Sequence, residues 1–145
     1  ALGIDFLVPG LDRLGFWGPN GGKNISWGDW HHFSIYAHQV MFFLPYNAAE
    51  FLAILATVFE ISFAPLLIFG LFTRWVALGS GILTACFAIS MAFAFGFTSP
   101  INYSVFAASA GSFLLASLPE YPWSLDNLIR RKMSFRTQKT KLIIF

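Results

Sequence analysis

Residues 48–72 read AAEFLAILATVFEISFAPLLIFGLF, and this stretch decides the fold class. It contains two acidic residues, Glu50 and Glu60, and no basic residue. A helix needs about 20 apolar residues to cross the hydrocarbon core of a bilayer, so the stretch predicts a membrane-spanning helix. Residues 75–96 contain no charged residue and predict a second span, and residues 102–118 predict a further, shorter one.

The composition of the whole chain is also typical of a membrane protein. Of its 145 residues 57% are hydrophobic and 11% are charged, and the mean hydropathy is +0.65. Soluble domains carry about 25% charged residues. The single cysteine, Cys86, cannot form the pairs that hold an iron–sulfur cluster or make a C-x-x-C motif. We therefore expect no intrinsic cofactor, and expect any redox chemistry to depend on a bound cofactor, a diffusible quinone or a partner protein.

The first 46 residues predict a helix end followed by a loop. Residues 1–14 are apolar but too short to cross a bilayer alone, and they predict the end of a first helix that lacks its front turns. Residues 15–46 are rich in aromatic and glycine residues and predict an interfacial loop, in which residues 28–44 form a short helix parallel to the membrane. The predicted fold is an all-α, four-helix transmembrane bundle with helices at about 1–14, 48–72, 75–96 and 102–118.

The distribution of basic residues predicts the orientation. Arg74 lies in the short connection between two spans, and six of the nine Lys and Arg residues lie in residues 130–141. Cytoplasmic loops carry an excess of Lys and Arg, so both termini are expected in the cytoplasm and the loop 15–46 outside, which is the periplasm for a bacterial inner membrane. The orientation is the same if the first segment is only interfacial. Next to a span, the basic residues favour anionic lipid over nucleic acid.

Glu60 is the candidate catalytic residue, because an acid near the middle of a span costs about 3 kcal/mol to insert and needs compensation. It is expected to handle a proton or anchor a ligand, or else to form an interhelical hydrogen bond with a Ser, Thr or Tyr. Arg13 is expected to pair locally with Asp5 or Asp12, or with the outer headgroups. These alternatives remain open from the residues alone.

Four other residues are candidates for a quinone site or a small polar pocket. His38 and Tyr36 are placed near the outer interface, where either could donate a hydrogen bond to a quinone headgroup. Asp5, one to two turns deeper in the first helix, could face Glu60 or a polar ligand, and Asp5 or Tyr103 could help to shape the site. His31 and His38 lie about two turns apart if the segment is helical, a spacing too weak for us to predict a metal site.

Several segments together resemble a known family. The first predicted helix ends with residues 10–15 (GLDRLG), and the second contains Glu60. An elbow with a glycine and a Thr-Arg pair follows at residues 66–74 (LLIFGLFTR), and the last predicted helix is followed by residues 123–126 (WSLD). The sequence resembles the DoxX family of small four-helix membrane proteins, which includes the DoxD-like subunit of thiosulfate:quinone oxidoreductase. The resemblance implies one DoxX-like transmembrane domain over residues 1–131 and a basic cytoplasmic tail over residues 132–145.

The resemblance implies a quinone-linked redox or accessory subunit that works with partner proteins. If the protein is an enzyme, it is at most the membrane subunit of a quinone-dependent oxidoreductase. The alternative is a non-catalytic structural subunit of a larger membrane complex of respiratory or photosynthetic type. A transporter is not favoured, because neither an inverted repeat nor a polar path is evident. Expected partners are membrane lipid, quinone and other membrane subunits.

Overall fold

The computed structural model describes residues 1–122 and 124–129, and within these ranges every regular element is a helix. Residue 123 and the expected basic tail at 132–145 lie outside them. A last short helix covers residues 125–129. The other six helices are α1 (Leu2–Arg13), α2 (Trp30–Val40), α3 (Tyr46–Phe69), α4 (Thr73–Phe95), α5 (Thr98–Asn102) and α6 (Val105–Ser117).

Helices α3 and α4 are long and apolar enough to cross a membrane, at 24 and 23 residues. Only 28% and 39% of their most apolar stretches are buried within the protein. The core helix of a soluble protein would bury most of such a surface, whereas a lipid-facing helix leaves it exposed. The described residues confirm an all-α fold with two helices long and apolar enough to span a membrane. Predicted at about 48–72 and 75–96, these helices cover Tyr46–Phe69 and Thr73–Phe95.

Two shorter helices pack against the long ones. Helix α1 lies along α3, and α6 lies along α4. A β-carbon added to Gly3 of α1 would lie 2.9 Å from the Ala64 carbonyl oxygen, so glycine permits the close approach of α1 and α3. Between α4 and α6, the Ser109 hydroxyl donates a hydrogen bond to the Gly81 carbonyl at 3.0 Å. Small residues therefore allow the backbones to approach closely, as in other membrane helix pairs.

The helix predicted at about 102–118 runs over Val105–Ser117 and is preceded by the separate short helix α5. Helix α5 ends at Asn102 and α6 begins at Val105. Ser104 between them has a φ of 56°, in the left-handed region, which interrupts the right-handed helix. The break falls in a short polar run, Asn102-Tyr103-Ser104, between the apolar residues Ile101 and Val105.

The elbow between α3 and α4 is held by the segment that follows α6. Asp126 Oδ1 accepts a hydrogen bond from the Phe72 N–H at 2.9 Å, and Oδ2 accepts from the Thr73 N–H at 2.9 Å and the Thr73 hydroxyl at 3.0 Å. A carboxylate in this position satisfies free N–H groups of the α4 N-terminus and complements its dipole. The Asp126 N–H also donates to the Gly70 carbonyl at 3.1 Å. Asp126 thus links one of the sequence segments that resemble the family, 66–74, to the segment that follows the last predicted span.

This contact predicts a loss of stability in acid. Burial by itself would raise the pKa of Asp126, but the hydrogen bonds from Thr73 and Phe72 outweigh it and lower that pKa below its usual value. A carboxyl with a lowered folded-state pKa stabilises the fold above its unfolded pKa and loses that contribution as pH falls through the folded value. We expect the difference in unfolding free energy between wild type and Asp126→Asn to shrink as pH falls below about 4. Unfolding in detergent from pH 7 to pH 3 measures it, and a constant difference would contradict the assignment.

Candidate functional site

A cavity of about 970 Å³ lies between α1, α2, α3, α4, the start of α6 and the aromatic loop, residues 14–29 between α1 and α2. Apolar residues form most of its wall, and a few polar and charged side chains reach into it. Such a mixture is common in small-molecule sites, in which a few polar groups orient a ligand within a largely apolar wall. The polar and charged side chains of the lining that bear on its chemistry are Asp5, Asp12, Arg13, Tyr36, Glu60 and Tyr103.

Arg13 and Glu60 form an ion pair between α1 and α3. Arg13 Nη1 lies 2.5 Å from Glu60 Oε2, and the two side chains are 5% and 7% exposed. The same Nη1 donates a hydrogen bond to the Thr57 hydroxyl at 2.9 Å. One alternative for Glu60, a hydrogen bond to a Ser, Thr or Tyr, is wrong, because its partner is Arg13. The predicted local pairing of Arg13 with Asp5 or Asp12 is wrong for the same reason. Neighbouring residues of a helix point in different directions, which takes Arg13 away from Asp12 and toward α3.

Aromatic rings surround the Arg13 guanidinium. Its central carbon lies 3.9 Å from the ring centroid of Phe33, 5.2 Å from that of Trp27 and 6.0 Å from that of Phe87. A planar guanidinium is weakly hydrated and is attracted to the faces of aromatic rings, which compensates part of the cost of burying it. The rings and Glu60 together hold the cation in one position.

Asp12 fixes the aromatic loop over the cavity. Its Oδ2 accepts hydrogen bonds from the backbone N–H groups of Ser26 and Trp27, both at 3.0 Å. A third contact comes from Trp17, whose Nε1 donates to the Val8 carbonyl at 2.9 Å. The loop is therefore anchored to α1 by three hydrogen bonds.

Three polar atoms of the cavity residues are buried and lack a hydrogen-bond partner among the described residues. They are Asp12 Oδ1, Arg13 Nε and Glu60 Oε2, the last of which contacts Arg13 without an aligned N–H. Buried polar groups are nearly always hydrogen-bonded in folded proteins, because an unpaired one costs about 1–3 kcal/mol. Glu60 Oε2 is engaged in the ion pair with Arg13, so Asp12 Oδ1 and Arg13 Nε are the two atoms of this set whose hydrogen-bonding capacity is unused.

Tyr36 and Tyr103 add two hydroxyl groups to the same cavity. The Tyr36 ring packs against Phe95 and Trp27, each at a centroid distance of 5.8 Å. Burial, together with the proximity of Tyr103, raises the pKa of Tyr36 above its ordinary value, and nearby Arg13 opposes this only in part. The Tyr36 hydroxyl is therefore a neutral donor throughout the physiological pH range. Tyr103 lies at the rim, and Asp5 is an exposed residue of the lining.

His38 does not line this cavity, unlike the other four candidate residues. Its Nε2 lies 3.1 Å from Glu50 Oε2, and its ring stacks on Tyr46 with centroids 4.1 Å apart. Glu50 also accepts hydrogen bonds from Trp30 Nε1 at 2.9 Å and from the Ser34 hydroxyl at 2.6 Å. These contacts join α2 to the first turns of α3, so the structure places His38 in a helix-docking cluster. Of the described residues, no group of three potential metal ligands lies together.

Arg13 and Glu50 were not among the candidate residues predicted from the sequence. One signal for Arg13 was present: it and Lys23 are the only Lys or Arg residues before Arg74, and Arg13 ends an apolar segment. A buried acid in one span requires compensation, and the basic residue at the end of a neighbouring span is the natural partner. Glu50 carries no comparable signal, because an acid in the first turns of a helix is common without tertiary contacts.

The family model described as DoxX matches residues 1–96, which is well over half of the chain. The chain belongs to the DoxX family. The matched region of this DoxX protein includes α1 to α4 and therefore Asp5, Arg13, Tyr36 and Glu60, whereas Tyr103 lies beyond it. Comparison with curated proteins and with solved structures found no match.

Proposed function

We propose that this DoxX protein crosses the bacterial inner membrane as a four-helix bundle of α1, α3, α4 and α6. The proposal is supported by the pairing of each short helix with a long one and by the apolar surfaces that α3 and α4 leave exposed. Arg74, which is exposed at the start of α4, faces the cytoplasm in this arrangement. The aromatic loop and α2 then lie on the outer side, and both termini lie inside.

We propose further that the cavity binds the headgroup of a quinone, and that the protein is a quinone-linked membrane subunit. The observation that carries the proposal is an aromatic cavity whose lining includes Tyr36 and Arg13, the latter with a buried Nε that has no hydrogen-bond partner among the described residues. A quinone presents two carbonyl acceptors on a planar apolar ring, so hydrogen-bond donors and aromatic walls suit it. The cavity is at the upper end of the usual size for small-molecule sites, about 300–1,000 Å³.

Each cavity residue has a separate role in this proposal. Arg13 and Tyr36 donate hydrogen bonds to the ligand, and Glu60 with Thr57 holds the guanidinium in place. Trp27 and the other rings exclude water, which strengthens these polar contacts. A bound quinone accepts two electrons and two protons, and a partner protein supplies the electrons by oxidising the substrate.

A second candidate function is that of a structural subunit in a larger membrane complex. It is favoured by the same Arg13 contacts, because the bonds to Glu60 and Thr57 join α1 to α3 and need no ligand for this purpose. In that case the cavity holds water or lipid, and the exposed helix faces contact other subunits.

Quinone retained by the purified protein distinguishes the two functions. The full chain is purified in nanodiscs, bound quinone is extracted and quantified, and accompanying proteins are identified by mass spectrometry. We expect quinone to be retained by wild type and its affinity to fall roughly threefold to tenfold in Tyr36→Phe, the loss expected for one hydrogen bond. Tyr46→Phe is the matched control, because it removes a hydroxyl from the ring that stacks on His38, outside the cavity.

Two outcomes would overturn the quinone proposal. One is wild-type protein that retains no quinone while it purifies with stable partner subunits, which is the result expected of a structural subunit. The other is an equal effect of Tyr36→Phe and Tyr46→Phe, which would place any bound quinone outside the cavity.

A further inference from the structure

The lining of the cavity carries more negative than positive charge. Three carboxylates, those of Asp5, Asp12 and Glu60, line it together with a single guanidinium, that of Arg13. Because Arg13 pairs with Glu60, the positive charge of the lining is already matched. The carboxylates of Asp5 and Asp12 therefore remain without an ion-pair partner among the described residues of the lining.

Asp12 uses one of its two carboxylate oxygens and leaves the other free. Oδ2 accepts the two hydrogen bonds from the aromatic loop, whereas Oδ1 has no partner among the described residues, although Asp12 is only 4% exposed. A carboxylate that is withdrawn from bulk water and incompletely hydrogen-bonded is costly. Either a positively charged ligand or the uptake of a proton compensates such a group.

Asp5 lies on the same side of α1 as Asp12, seven residues before it. Seven residues make about two turns of helix, or roughly 10 Å along its axis. Asp5 is exposed, lines the cavity and forms no ion pair with any described residue. In the proposed bundle α1 crosses the membrane, where acidic residues are rare and commonly mark the path or the site of a ligand. The two acids thus form one negative strip along α1.

An aromatic ring lies alongside this strip. Trp17 lines the cavity, and its Nε1 donates a hydrogen bond to the Val8 carbonyl at 2.9 Å. Val8 lies one turn after Asp5 and one turn before Asp12, so the bond holds the indole next to the part of α1 that joins the two acids. Trp17 is 51% exposed, and Tyr103, another ring of the lining, is 73% exposed. The faces of both kinds of ring attract cations.

This combination favours an organic ammonium ion over a metal ion. A metal site needs several ligands at once, and no group of three potential metal ligands lies together in the part of the chain that the structure describes. An organic ammonium ion offers a charge to the carboxylates and an apolar body to the rings. Exposed polar residues of the lining, Asn24, Ser26 and Ser104, make the cavity accessible to such a charged ligand.

We propose that the cavity binds a small organic ammonium ion along α1, with its charge beside Asp5 and Asp12 and its apolar body against Trp17. This inference goes beyond the proposed quinone function and does not depend on it. A quinone is held by hydrogen-bond donors, whereas an ammonium ion is held by the acceptors of the same cavity that the quinone leaves unused.

The test compares 2-phenylethylamine, which is positively charged at pH 7, with uncharged 2-phenylethanol, which has nearly the same shape. Each is titrated onto the full chain in phosphatidylcholine nanodiscs, and its partition into empty nanodiscs is subtracted. We expect wild type to bind the amine at least about tenfold more tightly than the alcohol, the gain expected for a hydrogen bond to a charged group. Asp5→Asn should remove most of this preference, whereas the affinity for the alcohol should not change.

Two matched pairs of variants serve as controls. Glu120→Gln removes the same charge from an exposed residue outside the cavity and should keep the preference of wild type. Trp17→Leu and Trp17→Phe both lose the hydrogen bond to Val8, but only the phenylalanine variant keeps an aromatic face. The amine should therefore bind about two- to fivefold more weakly to Trp17→Leu than to Trp17→Phe.

Three outcomes would overturn the ammonium site. Equal binding of the amine and the alcohol by wild type would mean that protons, not a cation, compensate the two acids. Equal effects of Asp5→Asn and Glu120→Gln would place the bound amine outside the cavity. Displacement of the amine by an equal concentration of Mg²⁺ would make the strip a site for inorganic cations. Quinone retained by the same nanodiscs is measured separately, so failure of the ammonium site is distinguishable from failure of the quinone function.

Discussion

Replacing Arg13 with methionine should lower the free energy of unfolding by about 3–5 kcal/mol, the cost of removing one partner of a buried ion pair. The substitution keeps much of the side-chain volume but leaves Glu60 buried without its cation and Thr57 without its donor. The aromatic rings around the guanidinium lose their contacts as well. Reversible unfolding in mixed detergent micelles, followed by circular dichroism, measures the change.

The double variant Arg13→Met/Glu60→Gln separates loss of the pair from loss of packing. Because it removes both charges together, no unpaired charge remains, and most of the stability should return. Glu60→Gln alone should be the milder single change, since Arg13 keeps Thr57 and the aromatic rings. If the double variant is as unstable as Arg13→Met, the two charges do not compensate each other and the ion pair is not what stabilises the contact between α1 and α3.

Replacing Gly70 with alanine should cost about 2–5 kcal/mol, from backbone strain and overlap together. Gly70 follows α3 with a φ of 67°, a conformation that alanine adopts with strain. An added β-carbon would also lie 2.6 Å from Ser124 Cβ and 2.9 Å from Ser124 Cα, where the backbone cannot easily move. The overlap pushes away the segment that carries Asp126, so the contacts that hold the start of α4 should weaken too.

Gly21→Ala is the control for backbone strain alone. Gly21 has a φ of 86°, and nothing lies within 4 Å of an added β-carbon. Its substitution should cost no more than about 1–2 kcal/mol. Equal losses in Gly70→Ala and Gly21→Ala, measured by the same detergent unfolding, would show that the approach of Ser124 to Gly70 does not contribute to stability.

The two long helices could be predicted from the sequence because the bilayer imposes a minimum apolar length. Hydropathy is nearly uniform within residues 48–72 and 75–96, which is enough to predict that both helices exist. Their exact ends depend on contacts with residues distant in sequence, which hydropathy does not reveal. The α4 start depends on Asp126, which lies more than 50 residues away. The break at Ser104 falls in the polar run of residues 102–104, at the predicted start of the last helix. The boundary between the predicted domain, residues 1–131, and the predicted tail, residues 132–145, remains a prediction.

Only part of the candidate site could be predicted from the sequence. The placement of the other residues depends on the direction in which each side chain points. Glu60 could be singled out because an acid inside an apolar span is costly wherever it faces. The approach of Tyr36 and Tyr103 to one cavity could not be derived from spacing, because it depends on how α2 and α5 dock. His38 lies on α2 as Tyr36 does, but two positions along a helix point to different sides, and His38 contacts Glu50 instead.

Photolabelling with a quinone tests the central claim most directly, because it reports where the headgroup lies. A tailed quinone with a photoreactive group on its ring is added to the full chain in nanodiscs, irradiated, and mapped by peptide mass spectrometry. We predict labels on cavity residues such as Tyr36, Trp27 and Tyr103, suppressed by excess unlabelled quinone. Labels that are confined to exposed residues outside the cavity, such as Trp75 and Phe93, and that competitor does not suppress would contradict the account.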